Sequence, residues 1–334
     1  MKKLITVVFL SVVLLAGFAF PVYGTSRDLK FNEAGQFKIV QFTDVHYVKG
    51  DPKSDGALEC IREVLRFEKP DLVIFTGDVS CCAPALEGMR DVVSIVSQAG
   101  VPFYVCFGNH DREFDATNEQ LYDMIRTLPS NLHPDRNGGP VPDIDLCVRN
   151  DDGSPAFVLY CIDSHSYKWD TDEYEWITGE QIDSYRARSA HYTTLNGGTP
   201  VPSLAFFHIP FPEYALAAGD QDADLVGTRM EKCYCPKHNS GFFSAMKECG
   251  DVRAVFVGHD HDNDYCVMWQ GIMLAYGRFS GGGTTYGHLS NGARVILLNE
   301  NGTMDTWVRL RDGRRLNPLR LDCAGTTGKF VQQD

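Results

Sequence analysis

The sequence predicts an α/β protein in which a sheet and helices pack in layers. Three observations support this. Short apolar runs rich in β-branched and aromatic residues recur along the chain, helical patterns separate them, and no linker divides the 334 residues. The runs are "FKIVQFTD" (37–44), "LVIFTGD" (72–78), "FYVCFGN" (103–109), "FVLYCID" (157–163), "SLAFFHI" (203–209) and "AVFVGHD" (254–260). Each has the length of a buried strand and is bounded by polar or glycine residues. Helical spacing appears at 55–70, ending before Pro70, at 85–100, with Gly100 as a stop, and at 118–128. Residues 292–310 read as a hairpin turning at Asn299 to Gly302.

Before these elements, Lys2 and Lys3 precede an uncharged apolar run from Leu4 to Phe20, which reads as a secretory signal peptide over residues 1–24. The expected product is exported, periplasmic or extracellular, with no stable membrane insertion after cleavage. One domain is expected from 28 to 312, and the polar stretch 313–334 as a C-terminal tail, partly disordered. The net charge of −13 argues against nucleic acid as a partner, because phosphate backbones demand basic patches. An exported compartment permits disulfides among the 11 cysteines. Cys233, Cys235, Cys249 and Cys266 are the better candidates, whereas Cys106 and Cys161 sit inside apolar runs and read as core residues.

The informative pattern lies at the strand ends. Five runs finish in a metal-type ligand: Asp44 and His46 in "TDVH", Asp78 in "TGD", Asn109 and His110 in "GNHD", then His208, then His259 and His261 in "GHDH". Carboxyl ends of strands in an α/β sheet are where ligands bind. In extended backbone residues i and i+2 face the same way, so Asp44 would point with His46 and His259 with His261. A lone histidine or Gly-Asp pair is ordinarily structural, but five such ends in one chain are not. The oxygen and imidazole set suits Mn, Fe, Zn, Co or Ni rather than Ca. Its ligands are too many for one ion and suit two, roughly 3.5–4 Å apart, sharing a carboxylate.

These motifs resemble the calcineurin-like metallophosphoesterase superfamily, and "HIPFPEY" (208–214), "NSGFFSAM" (239–246) and "AYGRFSGGG" (275–283) extend the likeness to the small purple-acid-phosphatase-like (Dcr2-type) group. The resemblance implies a layered β-sandwich flanked by helices, αββα, with a dinuclear site at the strand ends. It implies that Asp44, His46 and His261 hold one metal, that Asn109, His208 and His259 hold the other, and that Asp78 bridges. His110 would be catalytic, beside the substrate phosphate. Two cations neutralise phosphoryl oxygens and bring a bound water toward a pKa of about 7, so the implied reaction is hydroxide attack on a phosphomonoester in a small molecule or phosphoprotein. The alternatives are a phosphodiesterase on the same site and a non-catalytic metal-binding module, and loops at 164–200 and 210–239 are expected to shape substrate access. Asn109, His110 and Arg278 are the candidate substrate contacts, with a solvated surface role equally open for Arg278. Cys81 stands where purple acid phosphatases carry a ferric-binding tyrosine, so a colourless divalent pair is expected and not a ferric-tyrosinate centre. Cys81 and Cys82 read as packing or disulfide residues, with a Cys81 thiolate on the first metal as the alternative.

Overall fold

The structure, a computed structural model, describes residues 29–168, 170–325 and 329–333, so the proposed signal segment lies outside the described residues. From the start of the described chain the elements are β1 (Leu29–Lys30), β2 (Gln36–Phe42), α1 (Asp55–Glu68), β3 (Leu72–Thr76), α2 (Ala85–Gln98), β4 (Phe103–Cys106) and α3 (Asn118–Arg126). Then come β5 (Ile144–Arg149), β6 (Pro155–Cys161), α4 (Gly179–Leu195), β7 (Ser203–Phe206), α5 (Glu213–Gly219), β8 (Leu225–Val226), α6 (Phe242–Cys249) and β9 (Val252–Val257). The chain closes with β10 (Cys266–Trp269), β11 (Ile272–Tyr276), β12 (Gly292–Asn299), β13 (Thr303–Leu310), β14 (Arg315–Asp322) and β15 (Phe330–Gln332).

Two sheets form, one of seven strands in the order β15-β14-β13-β12-β2-β3-β4 and one of eight in the order β1-β5-β6-β7-β9-β11-β10-β8. Their facing sides share one apolar core, with Ile39 and Ile74 from the first sheet against Leu204 and Phe256 from the second. The outer face of the seven-stranded sheet buries Val40, Val73 and Phe75 under α1, α2 and α3. The outer face of the eight-stranded sheet buries Val158, Ala205 and Val255 under α4, α5 and α6. These strands are apolar on both faces because both faces are covered, which is why they read as runs rather than alternations. The result is the layered αββα sandwich with flanking helices that the sequence predicts.

Three expectations are corrected. The stretch after residue 312 is not a loose tail: β14 pairs antiparallel with β13, Met304 opposite Leu321, and buries Leu319 and Leu321. Residues 164–200 and 210–239 are not simple loops, since they carry α4 and α5. All eleven cysteines are free thiols, and Cys266 begins β10 with its side chain buried. Among the described residues no helix is long and apolar enough to cross a membrane.

Candidate metal centre

β2, β3 and β4 run parallel in one sheet, and β7 and β9 run parallel in the other. The chain leaving each strand carries the polar residues. Asp44 and His46 follow β2, Asp78 follows β3, Asn109 and His110 follow β4, His208 follows β7, and His259 and His261 follow β9. All except His110 are buried.

Asp44 and His46 do converge, but not by extended alternation. Their φ angles are +53° and +45°, and those of Asp78 and His259 are +53° and +80°. Left-handed backbone at a non-glycine residue costs of order 1–3 kcal/mol and persists only where surrounding contacts impose it. Here Asp44 N–H donates to the Gly77 carbonyl at 3.1 Å and His46 N–H to the Asp78 carbonyl at 2.9 Å. Gly77 is itself left-handed, at φ +90°, and a Cβ there would lie 2.5 Å from Nδ1 of His208. Glycine therefore makes room for an imidazole as well as for the turn.

The side chains form two candidate metal-ligand clusters. Asp44, His46 and His261 make one, Asp78, His208 and His259 the other, each offering three atoms within 4.8 Å of one another. In the first, Nδ1 of His261 donates to the Tyr286 carbonyl at 2.8 Å, which leaves the Nε2 lone pair facing Nε2 of His46 at 3.1 Å and Oδ1 of Asp44 at 3.6 Å. In the second, Nδ1 of His208 donates to the Thr76 carbonyl at 2.7 Å. Its Nε2 then faces Oδ2 of Asp78 at 3.0 Å, Oδ1 of Asn109 at 3.1 Å and Nδ1 of His259 at 3.3 Å. The Asn109 amide is oriented by its other end, which donates to the Tyr167 hydroxyl at 3.0 Å. Oδ2 of Asp78 also lies 3.6 Å from Nε2 of His46, so one carboxylate oxygen faces both clusters.

Lone pairs brought this close repel unless a cation stands between them. Without a metal the cation must be a proton. Burial opposes charge on His208, but the Asp78 carboxylate beside it outweighs burial and raises its pKa to about 10. Burial drives His46 down to about 3 and holds His259 well below the usual imidazole range. The donor set thus fits a pair of divalent ions, through imidazoles of which two, His208 and His261, have their second nitrogens fixed by carbonyls.

Two acidic neighbours escaped the sequence reading. Asp111 accepts the backbone N–H groups of Asp78, Val79, Ser80 and Gly108 at 2.8–3.1 Å, locking the β3 and β4 ends together. Glu113 Oε2 lies 2.6 Å from Nδ1 of His110. Burial opposes protonation of His110, but Asp78 and Glu113 outweigh it, so its pKa is raised. A histidine followed three residues later by an acid was the available signal. Cys81 groups with His110 and Glu113 rather than with the first cluster, and burial with nearby Asp78 pushes its thiol up to about 12. The expected thiolate alternative at the first cluster has no geometric support.

Arg278 is not brought into the site. It is 4% exposed, its guanidinium pairs with Asp264 at 2.5 Å, and its Nε donates to the Ser290 carbonyl at 2.7 Å. The cavity above the clusters, about 400 Å³, is instead lined by His46, Asp78, His110, Tyr174, Glu231, Tyr234, His259, Asp260, His261, Thr285 and Tyr286. Tyr174 comes from segment 164–200 and Glu231 with Tyr234 from segment 210–239, the two segments expected to shape substrate access.

Fold and site together define a layered αββα scaffold with two candidate metal-ligand clusters at one rim. Residues 37–263 match the family described as Calcineurin-like phosphoesterase, and the chain belongs to that family. It is 31% identical to the Arabidopsis thaliana protein "Probable inactive purple acid phosphatase 14", over 86% of this chain and 83% of that one. It is 31% identical to "Phosphatase DCR2" of Saccharomyces cerevisiae over 87% of this chain, while spanning 56% of that protein. Its fold is similar to that of a dimetal phosphatase from Danio rerio, with a TM-score of 0.61 at 13% identity, covering 88% of this chain and 99% of that one.

Proposed function

We propose that this protein is an exported phosphomonoesterase working with two divalent metal ions. Asp44, His46 and His261 would hold one ion and Asn109, His208 and His259 the other, with Asp78 shared. The single observation that carries this reading is the position of Oδ2 of Asp78, 3.6 Å from His46 and 3.0 Å from His208, between two clusters of converging lone pairs. Bound there, such ions would neutralise phosphoryl oxygens and acidify a water to the point of attack near neutral pH.

The chain's own residues supply the rest. His110 lines the cavity beside Asp78, and Nδ1 turned to Glu113 leaves Nε2 for the substrate. Its raised pKa keeps a proton available for the departing alkoxide. Asp111 holds the backbone of Asp78 and Gly108 in place, so the carboxylate and the imidazole cannot drift apart. The N-terminal apolar segment supports export.

Purified protein supplied with Mn²⁺ or Zn²⁺ should hydrolyse an aryl phosphate, and faster than the corresponding diester. His110→Ala should lower kcat by about 10²–10⁴-fold with metal content unchanged. An unchanged kcat would remove His110 from the chemistry. The name of the Arabidopsis relative favours a second reading, a metal-binding module without turnover. Full metal loading with no hydrolysis of any monoester would select it.

A further inference from the structure

We propose that the cavity selects phosphomonoesters whose alcohol carries a quaternary ammonium group, with Glu231 and the rings of Tyr234 and Tyr286 forming a subsite for that cation. This rests on the phosphatase reading and adds its substrate class. Among the described residues, the cavity lining contains no lysine or arginine. Beyond the groups of the two clusters and His110 it offers three tyrosines and two carboxylates, Glu231 and Asp260, of which Asp260 accepts from the Tyr234 N–H and the Tyr276 hydroxyl. With the phosphate taken by the two-ion centre and His110, the acidic and aromatic remainder of the lining suits an ester whose alcohol end is positive.

Glu231 belongs to neither metal-ligand cluster. Its carboxylate is fixed from two sides, by the Asp262 N–H at 2.6 Å and the Tyr286 hydroxyl at 3.1 Å. The Tyr286 ring lies nearly parallel on His261, with centroids 4.2 Å apart and an interplanar angle of 15°. The acid and the ring are therefore one aromatic step from the first cluster, which suits a short alkyl spacer between phosphate and cation. Tyr286 is 50% exposed and Tyr234 43% exposed, so neither side chain is enclosed by the protein. The Lys232 ammonium lies 4.3 Å from the Tyr234 ring centroid, so a ligand cation at this ring takes the place of that contact. Tyr174 stands edge-on to His259 at 4.6 Å and walls the cavity on that side.

An aromatic face attracts a cation, and most effectively one that is weakly hydrated. A quaternary ammonium loses little hydration on entering, whereas a primary ammonium must shed strong hydrogen bonds to water. A cavity of about 400 Å³ is of the size that holds a small molecule.

The test compares choline phosphate with 3,3-dimethylbutyl phosphate, which has the same shape and no positive charge. The metal-loaded enzyme should show kcat/KM about tenfold higher for choline phosphate, carried by KM, and Glu231→Gln should bring the ratio close to one. Choline alone should bind the wild type, by calorimetry, more tightly than it binds Glu231→Gln. Equal kcat/KM for the two esters, a ratio that survives Glu231→Gln, or a phosphopeptide preferred over choline phosphate would each overturn the proposal. If choline binds in a Glu231-dependent way but no monoester is hydrolysed, the cation subsite stands and the phosphatase reading fails. If aryl phosphate is hydrolysed while the two alkyl esters are indistinguishable, the phosphatase reading stands and the subsite fails.

Discussion

Two buried polar clusters draw residues from both sheets and are built in opposite ways. In one, Asp264 is answered from within the chain: its carboxylate pairs with Arg278 and accepts the Thr228 N–H, and its carbonyl accepts from the fully buried Arg294. In the other, Asp44 and Asp78 meet His46, His208, His259 and His261, and among the described residues no lysine or arginine pairs with either acid. A buried charge paired by the chain is architecture. Converging acids and imidazoles, with four of their backbones held left-handed, fit a cation from outside. On the proposed function, the difference separates the residues that build this protein from those that operate it.

The sharpest way to break this comparison is Asp78→Ala. It removes the oxygen facing both clusters, so metal content by elemental analysis should fall and turnover should drop about a thousandfold or more. Retention of two ions would mean that Asp78 is not shared. The converse substitution, Arg278→Met, leaves Asp264 buried and unpaired. Chemical denaturation should show a loss of about 3–5 kcal/mol, while the metal content of the folded fraction stays at the wild-type level. A raised KM with undiminished stability would instead return Arg278 to the substrate.

A smaller effect is expected at Glu68, the self-answered charge that ties α1 to β13. It accepts from Trp307 at 3.0 Å and Arg309 at 2.5 Å and pairs with Lys38 at 3.2 Å. Burial opposes its ionisation, but these donors outweigh burial and hold its pKa below the ordinary 4.5. A depressed carboxyl pKa contributes stability above the unfolded-state value and loses it as pH falls through the folded-state value. Glu68→Gln should therefore lower stability by about 1–3 kcal/mol at pH 7, and the gap to wild type should narrow below about pH 4.5. A gap that is the same at pH 7 and pH 4 would show that the charge is not the source.

Much of the candidate ligand rim was legible because five apolar strands of one chain each end in a metal-type ligand. Asp78 or His208 alone would have read as structural. Arg278 was noted only within "AYGRFSGGG", and its buried pairing went unread because its partner Asp264 lies on a separate loop that no local pattern links to it. α4 was missed although Thr178 and Gln181 form a capping box, because its buried face is not apolar in sequence. That face carries Tyr185 and Tyr192, whose hydroxyls donate to buried Asp251 and Asp145. β14 was missed because its exposed positions are polar and only Leu319 and Leu321 turn inward. Glu231 and Tyr234 reach the cavity from a segment with no period to read.

The most direct test of the central claim is the metal content of the purified protein. After dialysis against excess Mn²⁺ or Zn²⁺ and removal of free metal, two equivalents per chain should remain, with turnover lost on chelation and restored by adding the ion back. One equivalent or none, or turnover that survives complete chelation, would contradict a shared two-ion centre at these strand ends.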